Sequence, residues 1–327
     1  TIVVLIHEGG FPSVGNQYDG CPGISGPILD IVNRTNDEVD IFITGHTHQA
    51  YNCVIDGRLV TSASSFGRLV TKIDVQISRQ SKEVQQVQAE NVIVTRTVDK
   101  DPFMTALIAK YDAIAAPLAN RIIGQITATI TRAANAAGES ALGDVIADAQ
   151  LDATNDPGFG DAVIAFMNPG GIRADLTYPS SPAGEGDGNV TYGESFTVQP
   201  FGNSMVTKTM TGDQIRQVLE QQWSGINAAS PKILQVSTGF TYTWSLSAPA
   251  GSKVSNIMLN GVPLDMNASY RVTMNSFLAD GGDGFSAFTL GTDPLGGAVD
   301  TDALEAYFQT NSPVPPGPQN RLTVVPY

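Results

Sequence analysis

Histidine, cysteine and basic residues are all scarce in this chain. Three histidines and two cysteines occur in 327 residues, and 18 lysines and arginines stand against 32 aspartates and glutamates. No run of about 20 apolar residues is present, so the sequence carries no helical membrane span. The formal net charge of −14 argues against a nucleic-acid polymer as partner, because such binding rests on clustered Lys and Arg that release counterions. A small phosphate ester stays open, since a metal centre and one or two arginines reverse the field locally. Low Lys and Cys with abundant Thr, Ser, Asn and Gly agree with an exported protein. The length suits about two domains with sizeable cores.

What little histidine there is lies in a pattern. His7 closes the apolar run Ile2–Ile6, and His46 and His48 follow a second run, Val39–Ile43. All three fall just past predicted buried strands, where open α/β sheets place their ligand sites. Neutral imidazole is a common metal ligand. Gly45 permits a tight turn, and the i, i+2 spacing predicts both rings on one side of an extended segment. A single histidine after a strand is more often a surface residue; three in this position, with none elsewhere, point to a metal site.

The remaining pattern divides the chain. Residues 1–98 read as strands around one short helix, Pro27–Arg34. Asp101-Pro102 opens a helix, with Asp as N-cap and Pro at N1, and apolar residues at Phe103, Leu107, Ile108, Tyr111, Ile114 and Leu118 follow helical spacing. Residues 119–327 mix helices (139–153, 213–223) with strands (162–167, 240–246, 257–259, 270–275, 322–325). Pro179–Gly188 reads as a mobile loop tip. Cys21 and Cys53 are placed in loops flanking one helix–strand unit. They are either two free thiols or a disulfide, and a disulfide is favoured because it staples the loop after His7 to the loop after His48. Such a bond implies an oxidising compartment.

Several strings together resemble a family. Leu5-Ile6-His7-Glu8-Gly9-Gly10 and Gly45-His46-Thr47-His48 are similar to the last metal-binding motifs of calcineurin-like metallophosphoesterases. Asn168-Pro169-Gly170-Gly171-Ile172-Arg173, Pro200-Phe201-Gly202-Asn203 and Asn275-Ser276-Phe277 through Gly284-Phe285 resemble the substrate-binding domain of 5′-nucleotidases. The same order occurs in bacterial UDP-sugar hydrolase/5′-nucleotidases and animal ecto-5′-nucleotidases. The resemblance implies an α/β and α+β fold in three parts. Residues 1–98 are the C-terminal half of a metallophosphoesterase β-sandwich flanked by helices, 99–118 a bridging helix, and 119–327 a 5′-nucleotidase-type C-terminal α/β domain. It implies a metal-dependent hydrolase releasing phosphate from 5′-nucleotides, secreted, periplasmic or at the cell surface. Two divalent ions (Zn, Mn or similar) would activate water for in-line attack on phosphorus. Nucleotide-sugar or NAD pyrophosphatase and 2′,3′-cyclic phosphodiesterase share the scaffold. A non-catalytic nucleotide-binding module is the competing class.

By that resemblance His7, His46 and His48 are metal ligands. Asn168 and Arg173 contact the nucleotide, and Phe201 and Phe277 sandwich the base. Asn203 touches the base edge, Asp283 accepts from the ribose hydroxyls, and Gly239 lines the same pocket. Read singly, the two phenylalanines are better explained as core, and it is the resemblance that reverses this. The family's bridging and second aspartates, its Asp-x-His pair and its Asn-His motif have no counterpart here, so no catalytic residue is expected in this chain. It is read as the C-terminal portion of a longer enzyme, inactive alone. Additional arginines that relatives carry before the helix at Glu139–Gly143 are replaced by Ala136-Ala137-Gly138, leaving Arg132 as the nearest candidate.

Overall fold

A computed structural model describes residues 1–13, 18–179, 181–228 and 230–325. Val14–Gln17, in the loop after His7, and Ser180, in the loop 179–188, lie outside the described residues. The chain forms two compact units, Thr1–Thr105 and Ala106–Tyr327.

In the first unit, β1 (Val3–Leu5), α1 (Pro27–Arg34), β2 (Ile41–Ile43), β3 (Ala50–Ile55) and β4 (Arg58–Ala63) are followed by the hairpin β5 (Leu69–Ile77) and β6 (Val84–Ile93). The sheet order is β1-β2-β4-β3. β1, β2 and β4 run parallel, and β3 pairs antiparallel with β4. Pro27 at the start of α1 costs no hydrogen bond, because its position has no intrahelical acceptor. Ile28 and Val32, one turn apart, are fully buried against Phe42, Tyr51, Cys53 and Val60. Cys53 is therefore a strand residue of β3 and not a loop residue as expected. It still meets Cys21 in a disulfide with Cα atoms 5.1 Å apart.

The helix α2 (Pro102–Ala119) opens with Asp101 Oδ1 accepting from the Met104 amide. Its apolar residues do not form the expected buried stripe, and no residue of this helix is buried. Apolar residues recur on several sides of α2, so spacing that matched a helix did not define a single face.

The second unit continues with β7 (Ile122–Gln125), α3 (Ala141–Asp152), β8 (Ile164–Met167), β9 (Asn189–Thr191), α4 (Tyr192–Val198), β10 (Ser204–Thr211), α5 (Gly212–Glu220), β11 (Gln235–Val236) and β12 (Phe240–Trp244). After these come β13 (Val254–Leu259), β14 (Val262–Pro263), β15 (Ser269–Asn275), α6 (Ser276–Ala279), β16 (Thr292–Val299), α7 (Asp300–Asn311) and β17 (Leu322–Val324). Two sheets dominate, β11-β8-β15-β10-β16 and β14-β13-β12-β17. β8 is buried along its whole length because both its faces are covered. Ile164 and Phe166 join a core with Ile215, Leu219, Phe240 and Phe288. Met167, on the opposite face, joins Leu142, Val145 and Ile146 of α3 and Leu304 and Phe308 of α7. Helix starts are fixed by side chains: Ser140 accepts from the Gly143 amide, and Thr191/Glu194 and Thr211/Gln214 form reciprocal capping boxes. The fold is mixed α/β.

Candidate nucleotide site and histidine cluster

In the first unit the parallel neighbours β1 and β2 deliver His7 and His46 side by side. His46 Nδ1 lies 3.4 Å from His7 Nε2. Gly45 and Gly9 let the two loops touch: the Gly45 amide donates to the Glu8 carbonyl, and a Cβ on Gly9 would meet the Gly45 oxygen at 2.5 Å. His48 departs from expectation. Both His46 (φ 64°) and His48 (φ 55°) adopt left-handed backbone, so the segment is not extended and the i, i+2 rule does not hold. His48 turns to the Phe66 ring, with centroids 5.5 Å apart. Two further buried groups brace this end of the sheet. The Tyr51 hydroxyl, its pKa raised by burial, bonds Thr44 and accepts from the Gly10 amide.

Among the described residues no group of three or more His, Cys, Asp and Glu is arranged to hold a metal ion. Two imidazoles in contact without a carboxylate do not fit a two-metal centre, which needs bridging oxygens as well as nitrogens.

The second unit gathers most of the other candidate residues at one sheet edge. β8 and β15 are parallel neighbours. Their carboxyl ends carry Asn168 and Asn275 next to each other, and Asn275 Nδ2 donates to Asn168 Oδ1 at 2.9 Å. Asn168 Nδ2 donates in turn to Asp283 Oδ2 at 2.9 Å. Lys232 Nζ pairs with Asp283 Oδ1, and Asn227 Nδ2 donates to the Asp283 carbonyl. Asp283 itself has left-handed backbone, φ 56°. Asn275 Oδ1 caps the short helix α6 by accepting from the Leu278 amide, which fixes the segment carrying Phe277. Buried Lys208 ties the same segment down through the Ala279 and Phe288 carbonyls.

Phe201 is 54 % exposed and Phe277 39 %, whereas Phe166, Phe240, Phe285, Phe288 and Phe308 are fully buried. The core reading of the two loop phenylalanines is excluded. Arg173, which donates to the Gly170 carbonyl, carries its guanidinium carbon 5.4 Å from the Phe201 ring centre. The Phe277 ring lies against Gly282, where a Cβ would meet it at 2.6 Å; a side chain there would displace the ring. Since β10 runs antiparallel to β15, its start brings Asn203 to the same edge. Asn203 is occupied structurally: its amide and its Nδ2 donate to Asp300 Oδ2, and its Oδ1 accepts from Ser276. Burial raises the Asp300 carboxyl above its usual range, opposed by these donors.

Gly239 sits apart. With φ 84° it enters β12, and its carbonyl accepts from the Asn260 amide. A Cβ there would meet Asn260 Oδ1 at 2.3 Å. Its glycine identity is explained by that turn. Arg132 donates through Nη1 to the Ile172 carbonyl, beside Arg173, and lines an open cleft of about 400 Å³ bordered by Pro169, Ile172, Ser140 and Gln235.

Lys232, Asn275 and Asn227 were not singled out in the sequence. A lysine before the apolar run Ile233–Val236 has no distinguishing pattern. Asn275 stood within the Asn-Ser-Phe string, and its place at the end of a strand was the available signal.

This arrangement, a polar network at the carboxyl ends of parallel strands with half-exposed aromatic rings beside it, is that of a ligand-binding α/β domain. The family described as 5′-nucleotidase, C-terminal domain matches residues 122–290, and the chain belongs to that family. It is similar to the endonuclease YhcR of Bacillus subtilis, with 29 % identity over 88 % of this chain and 22 % of that protein. It is also similar to a cell wall protein of Listeria monocytogenes, with 30 % identity over 88 % of this chain and 38 % of that one. Among solved structures, the 5′-nucleotidase precursor of Thermus thermophilus superposes with a TM-score of 0.65 at 27 % identity, covering 92 % of this chain and 62 % of that one. The chain thus spans 22 to 38 % of the length of these two curated relatives.

Proposed function

We propose that this chain supplies the nucleotide-binding part of a metal-dependent phosphohydrolase that converts 5′-nucleotides to nucleoside and phosphate. The observation that carries this reading is the network Lys232–Asp283–Asn168–Asn275, flanked by Phe277 and by Arg173 over Phe201. Asp283 offers acceptors suited to ribose hydroxyls, and Asn168 orients them. Two exposed aromatic rings offer stacking faces to a base of any identity. Arg173 brings a planar cation suited to phosphate or ribose oxygens, and Arg132, which donates to the Ile172 carbonyl, offers a second guanidinium next to it. Asn203 helps through position: its side chain is engaged by Asp300 and Ser276, so it shapes the loop that carries Phe201. Gly239 plays no part in this site.

His7, His46 and His48 belong in this reading to the metal-binding end of the phosphohydrolase. The donor set in this chain is incomplete, and no chemical step is assigned to it. The chain alone is therefore a binding module with negligible turnover. The acidic composition disfavours a nucleic-acid polymer as ligand. The Cys21–Cys53 disulfide and the likeness to a cell wall protein support an extracellular, periplasmic or cell-surface location.

Calorimetric titration of the 327-residue chain with AMP, adenosine and ribose 5-phosphate tests the proposal. AMP and adenosine bind, adenosine retaining most of the affinity because stacking does not need the phosphate, and ribose 5-phosphate binds more weakly. Tight ribose 5-phosphate binding without adenosine binding would refute the base site.

A further inference from the structure

Asp283 is an unusual carboxylate. Its side chain is 8 % exposed, in an acidic protein, at a left-handed backbone position. Three segments hold it. Lys232 Nζ reaches Oδ1 at 2.5 Å, Asn168 Nδ2 reaches Oδ2 at 2.9 Å, and Asn227 Nδ2 reaches the main-chain carbonyl at 2.8 Å. Each carboxylate oxygen has two acceptor directions. One on each is used by these donors, and one on each is left.

We infer that Lys232 is a positioning residue for the sugar: it fixes and charge-balances Asp283 so that both free acceptor directions serve the ribose hydroxyls, making the site selective for ribonucleosides over 2′-deoxyribonucleosides. This rests on the nucleotide-site reading above and adds a residue and a selectivity to it. An uncompensated, nearly buried carboxylate would repel an anionic nucleotide and would be costly in itself. The lysine balances that charge at one oxygen, approaching Oδ1 from the 232–235 segment while Asn168 approaches Oδ2 from the end of β8. With Lys232 removed, Asn168 alone leaves the carboxylate free to rotate, and the second hydroxyl loses its partner. A site built to accept two hydroxyls rejects a ligand lacking one, because a buried acceptor is then left unpaired.

The test compares adenosine and 2′-deoxyadenosine by calorimetry on the full 327-residue chain, for the wild type, Lys232→Met and Lys232→Arg. The wild type prefers adenosine by roughly tenfold or more, the scale of one hydrogen bond to a charged group. Lys232→Met reduces the ratio to within about twofold, with adenosine affinity falling more than that of the deoxynucleoside, and Lys232→Arg restores most of the preference. A tether that merely stabilises the loop would lower both affinities together and leave the ratio intact. A second measurement needs no variant: in isotope-labelled wild type, the Lys232 side-chain NMR signal shifts with adenosine and not with free adenine. An unchanged ratio in Lys232→Met, or a Lys232 signal indifferent to adenosine, overturns the inference while the site reading stands. A wild type that binds adenosine without preference also overturns it. A wild type that binds neither nucleoside overturns both.

Discussion

Asn168 donates from Nδ2 to Asp283 Oδ2 at 2.9 Å, joining residues 115 positions apart in the chain. The bond spans the end of β8 and the glycine-rich loop beyond α6, and it joins the Asn275–Asn168 contact to the Lys232–Asp283 pair. Asn168→Ala and Asp283→Ala each weaken adenosine binding by about 1–3 kcal/mol, the range for a buried polar group losing its partner. In the double variant the losses do not add, with a coupling of about 0.5 kcal/mol or more. A calorimetric double-mutant cycle measures this. Strict additivity would mean that the two residues act separately.

The exposure of Phe277 predicts a split between binding and stability. Phe277→Ala weakens nucleoside binding by about 1–3 kcal/mol and leaves the denaturant midpoint of the second unit nearly unchanged. Phe166→Ala, in the buried core, serves as contrast and costs about 3–5 kcal/mol of stability. A large midpoint shift for Phe277→Ala with intact affinity would make its loop a structural element only.

Much of this was legible in the sequence. The helix at 27–34 and the helix opened by Asp101-Pro102 carry a proline at N1, a cap or periodicity, and the structure has them at Pro27–Arg34 and Pro102–Ala119. β3, β10 and β16 have no clear strand pattern in the sequence. β3 holds a cysteine and an asparagine among its apolar residues, β10 alternates threonines with methionines and a lysine that is buried only through two carbonyls, and β16 contains Pro294, Gly296 and Gly297. Their strand state is decided by pairing with neighbours, which local propensity does not encode. The family motifs brought Asn168, Arg173, Phe201, Phe277 and Asp283 to attention because those strings are short and contiguous. Lys232 and Asn227 escaped because their roles arise only when distant segments meet. The divergence of His48 from His46 escaped because a left-handed backbone at two non-glycine residues has no reliable sequence mark.

The Cys21–Cys53 disulfide closes a separation of 32 residues around α1 and β2. Its loss releases chain entropy in the unfolded state, so Cys21→Ser/Cys53→Ser destabilises the first unit by about 3–4 kcal/mol. The second unit is unaffected. Urea unfolding followed by hydrogen exchange resolves the units. Equal destabilisation of both, or of neither, would contradict this assignment.

Buried Asp144 gives the second unit a pH dependence. Burial, partly offset by Arg321 and the Gln319 amide, raises its carboxyl from 3.8 to about 7. Between those values the folded state holds a proton that the unfolded chain has released, so stability falls as pH rises through that window and levels off above it. Asp144→Asn removes this slope. Urea midpoints measured from pH ~5 to ~8 check the sign. A wild-type midpoint that rises over that range with no difference in Asp144→Asn would show that the carboxyl ionises normally.

NMR shift mapping of the labelled chain with adenosine locates the base and sugar site most directly. Saturable shifts are expected at Asn168, Arg173, Phe201, Lys232, Phe277 and Asp283, with Gly239 and His48 unmoved. Saturable binding whose shifts bypass Asn168, Phe277 and Asp283 would contradict that location.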